Sequence, residues 1–194
     1  AFSKGKHVVT ANKELMAKHG HRLIELSEAN GVHLLYEASV GGGVPIIGPL
    51  KKDLLANKIT RINAIINGTT NYIISKMSGE KLDFNSALNQ AQDSGFAESD
   101  PTNDVDGFDA AYKLAIMASL AFDTRVRVED VYREGISALE RQDFIYAEDL
   151  GYTVKLLAMA RYDSETLSVR VHPALIPKEH LLAKVDGVFN AIEI

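Results

Sequence analysis

His7–Tyr36, HVVTANKELMAKHGHRLIELSEANGVHLLY, decides the fold class of this 194-residue chain. Residues 7–10 form a short apolar run of the kind a buried strand uses. From 12 to 30, Leu15, Met16, His19, Leu23 and Leu26 recur near helical spacing. Asn30-Gly31 supplies the residues that end a helix. Residues 32–36 are a second apolar run. Strand, helix and strand within about 30 residues make one βαβ unit, hence parallel strands joined by a right-handed crossover. Such sheets hold nucleotides at the carboxyl ends of their strands. No G-x-G-x-x-G occurs in the sequence, so a pyrophosphate loop of that type lies outside these residues.

Upstream, Ala1 to Lys6 read as the end of a helix, with Gly5 as its stop, so the chain is expected to begin inside a larger α/β unit. Downstream, Glu37-Ala38-Ser39-Val40-Gly41-Gly42-Gly43-Val44-Pro45 leads to a helix expected over 45–56, with Pro45 in its first turn. The glycines suit either a backbone cradle for an anion or cofactor, or a domain hinge. A strand is expected over 58–66. Asn67-Gly68-Thr69-Thr70 then turns and caps a helix to about Met77. Further helices are expected over 83–94, 104–121, 129–133, 143–150 and 180–185. Strands are expected over 136–139, 153–162, 167–173 and 188–194. After residue 38 sheet and helix mix without strict alternation. The expected fold class is therefore α+β, a mixed sheet covered by helices and preceded by a partial parallel βαβ unit.

The chemistry concentrates in Gly95–Lys113, GFAESDPTNDVDGFDAAYK, which carries five acidic residues. Asp109 and Lys113 stand four apart on a small-residue helix, so they leave the same face. Glu98 arrives from the preceding loop. One reading is a solvated helix pair next to a capping loop, worth a few tenths of a kcal/mol. The other is a site. Ala110, Ala111, Leu114, Ala115, Ile116, Met117 and Ala118 make the helix apolar nearly all round, and charges anchored in a buried helix are costly unless used. A zwitterionic small molecule would supply the missing partner. A calcium loop aligned on Gly107 fails at both ends, with Thr102 first and Lys113 twelfth.

The composition is 46% hydrophobic and 24% charged, which suits a globular core, and the net charge of −5 with scattered Lys and Arg argues against nucleic acid or an anionic membrane as partner. No apolar stretch reaches membrane-spanning length. The chain has no cysteine, which removes disulfides and thiolate metal sites. Its histidines show no zinc-hydrolase spacing.

Four segments, GKHVVTANK at 5–13, YEASVGGGVPII at 36–47, INGTTNYI at 66–73 and GFAESDPTNDVDGFDAAYKLAI at 95–116, together closely resemble homoserine dehydrogenase. The agreement in order and spacing runs along essentially the whole chain. The resemblance implies reversible NAD- or NADP-dependent interconversion of L-homoserine and L-aspartate 4-semialdehyde, on the way to threonine, methionine and isoleucine, in a cytoplasmic homodimer. It implies Lys113 as proton donor, Glu98 and Asp109 as the carboxylates that hold homoserine, and Lys13 beside both nicotinamide and substrate. Gly95 is implied near the cofactor. Glu37, Val40, Gly42 and Val44 are implied as a sodium site made largely of backbone carbonyls. It also implies residues 1–37 as part of a Rossmann-like nucleotide-binding unit and 38–194 as a truncated substrate-binding, catalytic and dimerisation domain. The family's amino-terminal glycine-rich loop and a later glycine-rich return segment are missing, so this polypeptide is expected not to turn over alone. Two other readings stay open: a lyase or aldolase forming a Schiff base on Lys113 or Lys13, and a non-catalytic dimerisation module.

Overall fold

The computed structural model describes residues 1–194 and contains two sheets of unequal size. Strands β1 (Val8–Val9) and β2 (Leu34–Leu35) pair in parallel, joined by helix α1 (Lys13–Ala29). This is the expected βαβ unit. Asn12 caps α1 by accepting a hydrogen bond from the Leu15 amide at 2.9 Å. Gly31 leaves the helix in the left-handed region, at φ 62°.

The second sheet holds β3 (Arg61–Ile65), β4 (Tyr132–Arg133), β5 (Tyr152–Asp163), β6 (Thr166–Pro177) and β7 (Ala191–Glu193), in the order β4-β6-β5-β3-β7. It is mixed: β4 runs parallel to β6 while the other pairs are antiparallel. β5 and β6 form a long hairpin closed by Ser164 and Glu165, both at positive φ as a two-residue turn between twisted strands requires. Val154, Leu156, Ala158 and Ala160 face the main core, while Leu157 belongs to a smaller cluster with Ile65, Ile176 and Leu182 on the opposite face. That is the period-2 alternation of a half-covered sheet.

Helices α2 (Gly68–Gly79), α3 (Phe84–Asp93), α4 (Thr102–Val105), α5 (Phe108–Ala121) and α6 (Arg141–Asp149) complete the fold. α2 and α5 pack on β5 and bury Ile73, Ile74, Met77, Leu114 and Met117 to 1% exposure or less. Each large aliphatic side chain withdrawn this way contributes roughly 1.5–3 kcal/mol. α5 also packs against α1 and so connects the two sheets.

Four expectations change. The single helix over 104–121 is two helices, because Gly107 stands at φ 79° and turns the chain between α4 and α5. Residues 136–139 form a turn rather than a strand: the Ile136 amide donates to the Val105 carbonyl at 2.8 Å instead of joining a ladder. Residues 129–133 divide between a 3-10 turn, Val128–Asp130, and edge strand β4. The helix after Pro45 is shorter than expected and wide-turned over Pro49–Asp53, with the Leu54 amide donating to Pro49 five residues back at 3.0 Å. No helix is long and apolar enough to cross a membrane.

Candidate active site

The site is built where β3 ends. Past Ile65 the chain turns at Ile66 and Asn67 into α2, and Lys113 of α5 reaches that turn. Asp109 lies in the first turn of α5, where the helix dipole favours a carboxylate. Lys113 follows one turn later. Its Nζ donates to Asp109 Oδ2 at 2.7 Å and to the Ile66 carbonyl at 2.8 Å.

Lys13 comes from the βαβ unit. The chain leaves β1 at Val9, and the Asn12 cap places Lys13 as the first residue of α1. A cation there opposes the helix dipole unless an anion compensates. Asp109 does so, its Oδ1 lying 2.7 Å from Lys13 Nζ. The Asp109 side chain is 4% exposed, that of Lys113 16% and that of Lys13 44%, so one buried carboxylate holds two amines of different accessibility.

Burial works to raise the Asp109 pKa, but the Lys113 charge and hydrogen bonds from Lys113, Lys13 and Asn67 outweigh it and hold the carboxyl below its ordinary value. Burial likewise works to lower Lys13. The hydrogen bond and charge of Asp109, helped by Asp104 and Glu98, overcome it and raise the amine above its ordinary value. Both groups are ionised at neutral pH.

Two residues not singled out in the sequence complete the cluster. Asn67 Nδ2 donates to Asp104 Oδ1 at 2.6 Å and to Asp109 Oδ2 at 2.9 Å. The sequence signalled Asn67 only as a helix cap, and Asp104 only as one acid of the loop and a ligand position in the rejected calcium-loop alignment. Glu98 is exposed, and its carboxylate accepts no hydrogen bond from the protein, yet it is close enough to act on Lys13. Its loop is tied to α2 by Thr69 Oγ1, which donates to the Phe96 carbonyl at 2.7 Å, and by the Tyr72 and Phe96 rings, 4.9 Å apart. Gly95 starts that loop at φ 75°, just beyond α3. The cluster holds three carboxylates (Glu98, Asp104, Asp109) against two ammoniums (Lys13, Lys113), a formal excess of one negative charge.

The glycine turn has a different character. Glu37 spends its carboxylate on backbone amides, accepting from Ile46 at 2.6 Å, Ile47 at 2.7 Å and Gly48 at 2.7 Å. Val40 has no exposed surface, and its carbonyl receives no hydrogen bond. Gly41 and Gly42 both stand at positive φ, and the Val44 amide closes the turn by donating to the Gly41 carbonyl at 3.0 Å. An unpaired buried carbonyl in a turn of this kind suits a hard cation with oxygen ligands. No group of three His, Cys, Asp or Glu side chains converges as a metal site. A cavity of about 860 Å³ between α1 and α5 does not include Lys13, Asp109 or Lys113 among its lining residues.

Comparison with known proteins agrees along the chain. Residues 45–194 match the family model for homoserine dehydrogenase, and residues 1–37 match that for the homoserine dehydrogenase NAD binding domain. A homoserine dehydrogenase of Synechocystis sp. is 52% identical over 196 residues, covering 99% of this chain and 45% of the relative. That of Bacillus subtilis is 46% identical over 194 residues, covering 100% of this chain and 45% of the relative. The crystal structure of a homoserine dehydrogenase from Thiobacillus denitrificans superposes with a TM-score of 0.96 at 48% identity, covering 98% of this chain and 44% of that one. A hyperthermophilic archaeal homoserine dehydrogenase in complex with NADPH gives a TM-score of 0.84 at 32% identity, covering 99% of this chain and 55% of that one. The chain thus spans about half the length of the curated relatives it matches.

Proposed function

This chain belongs to the homoserine dehydrogenase family, and from that membership we propose that its site interconverts L-homoserine and L-aspartate 4-semialdehyde. The observation that carries the reading is Asp109, buried and shared at 2.7 Å by Lys113 and Lys13, where the small parallel sheet meets the large mixed one. The excess negative charge of the cluster suits the ammonium of an amino-acid substrate, and the uncommitted Glu98 carboxylate is the group free to take it.

A nicotinamide of NAD or NADP, when bound, supplies the hydride acceptor or donor. The parallel pair fits such a group: Lys13 follows the carboxyl end of β1, and its amine remains partly exposed. Lys13 and Gly95 are the residues proposed to border it. In the reductive direction, negative charge develops on the aldehyde oxygen, and Lys113 stabilises it and delivers the proton. In the oxidative direction Lys113 must first give up its proton, and the neutral amine then accepts the hydroxyl proton. Asp109 keeps both amines in place, and Glu98 with Asp109 holds the substrate. A Schiff base on Lys13 is disfavoured because Asp109 holds that amine charged, and an ammonium is not a nucleophile.

The proposal extends to organisation. Residues 1–37 contribute to nucleotide binding, and 38–194 to substrate binding, catalysis and dimerisation. A homodimer is supported by the sheet face opposite the main core, where Met159 and Ala174 are only partly buried. Glu37, Val40, Gly42 and Val44 are proposed to hold sodium through oxygen atoms, with the unpaired Val40 carbonyl as the supporting feature. A cytoplasmic, biosynthetic role in the threonine, methionine and isoleucine branch follows from the proposed substrate.

The test is Lys113→Ala in the full-length protein. It should lower kcat by about 10²–10⁴-fold with the fold intact by circular dichroism. Near-normal turnover would refute the assignment.

A further inference from the structure

Asn67 does more than cap a helix. Its Oδ1 accepts from the Thr70 amide at 2.8 Å and from Thr70 Oγ1 at 2.9 Å, which satisfies the first turn of α2. Its Nδ2 donates to Asp104 at 2.6 Å and to Asp109 at 2.9 Å. The residue is 5% exposed, so water does not readily replace a lost partner. The amide orientation is fixed by chemistry: turned over, its oxygen would face two carboxylates and its NH₂ would face an N–H.

A cap requires only the oxygen, and serine or aspartate supplies one equally well. Asparagine alone among the favoured caps adds two N–H donors. Those donors reach α4 and α5 at once, and the preceding residue, Ile66, accepts from Lys113 through its carbonyl. One side chain therefore ties the turn after β3 to both acidic helices.

We propose that Asn67 is a positioning residue of this site: its two amide hydrogens hold Asp104 and Asp109 side by side and keep Asp109 aimed at Lys113 and Lys13. This deepens the dehydrogenase reading, and its kinetic consequence rests on that reading. Asp109 is faced by Lys113 from its own helix, Lys13 from α1 and Asn67 from the β3–α2 turn, with Asp104 of α4 on the far side of the amide and Glu98 in the adjoining loop. Removing the Asn67 donors takes away one of the interactions that keep the Asp109 carboxyl low.

Asn67→Ser and Asn67→Asp both retain a cap oxygen, so they separate the two roles and provide two chances of a folded variant. The first measurement needs neither substrate nor cofactor: titration of the Asp109 side-chain carboxyl carbon by NMR. Its midpoint should move upward in both variants. The second is the pH profile of kcat/KM in the full-length protein, whose acid limb should move the same way, with kcat falling about tenfold for Asn67→Ser. An Asp109 midpoint unchanged in both folded variants would overturn the proposal and leave Asn67 as a cap alone. A shifted midpoint in a protein whose unaltered form never turns over homoserine would support the positioning role while refuting the dehydrogenase reading.

Discussion

Asp109 carries the site, because its two oxygens serve three donors on three different elements. Asp109→Ala strands two ammoniums beside a buried turn. Breaking a buried pair from one side typically costs about 3–5 kcal/mol. We expect a loss toward the lower end of that range, since Lys13 can turn to solvent; urea unfolding measures it. Glu98 should behave differently. It is exposed and holds no protein donor, so Glu98→Gln should raise KM for homoserine about tenfold with little change in kcat or in the urea midpoint. A large fall in kcat with unchanged KM would place Glu98 in the proton chemistry instead. The Asp109–Lys113 pair was legible because helical spacing fixes it. Lys13 was reached only through resemblance, and the second use of Asn67 escaped altogether, since no local pattern links residues 42 positions apart.

Among the secondary-structure elements, glycine decides how the acidic helices sit. A Cβ on Gly135 would lie 2.5 Å from the Val105 carbonyl oxygen and 2.8 Å from Asp106 Cα, so backbone must move. Gly135→Ala should therefore destabilise the protein by about 2 kcal/mol and weaken homoserine binding by displacing α4, which carries Asp104. Unchanged binding in a destabilised variant would uncouple α4 from the site. The same contact explains why 136–139 is a turn: its approach to α4 commits the Ile136 amide to Val105 rather than to the sheet. Sequence could not anticipate that, because β-branched and aliphatic residues look alike in a strand and in a buried turn. Nor could it separate α4 from α5, since a lone glycine inside an apolar helical pattern is often tolerated. The βαβ unit and the β5–β6 strands were legible because their periodicity acts locally.

For the protein as a whole, one buried charge cluster joins two sheets, and its ionisation sets limits in pH. Asp109 is depressed in the folded state, so its contribution is complete above the unfolded carboxylate value of about 3.9 and disappears as pH falls through the folded value. Lys13 is raised, so its contribution is complete below about 10.4 and is lost as pH rises through the folded value. Urea midpoints should therefore show no change due to these two groups between about pH 5 and 9. Below about pH 4 the unaltered protein should lose more stability than Asp109→Asn does; equal losses would count against a stabilising carboxylate. Lys155 shows what composition hides. It is 1% exposed in β5, where its Nζ donates to the Val185 carbonyl at 2.6 Å and to Asp186 at 2.8 Å. A lysine in a strand reads as outward-facing, and only the tertiary fold supplies those acceptors. Whether homoserine reacts at the Asp109 cluster is decided by a crystal structure of the full-length protein with homoserine bound. The substrate hydroxyl should lie within hydrogen-bond reach of Lys113 Nζ, with its ammonium against Glu98. Homoserine bound elsewhere, or with its hydroxyl turned away from Lys113, would refute the assignment.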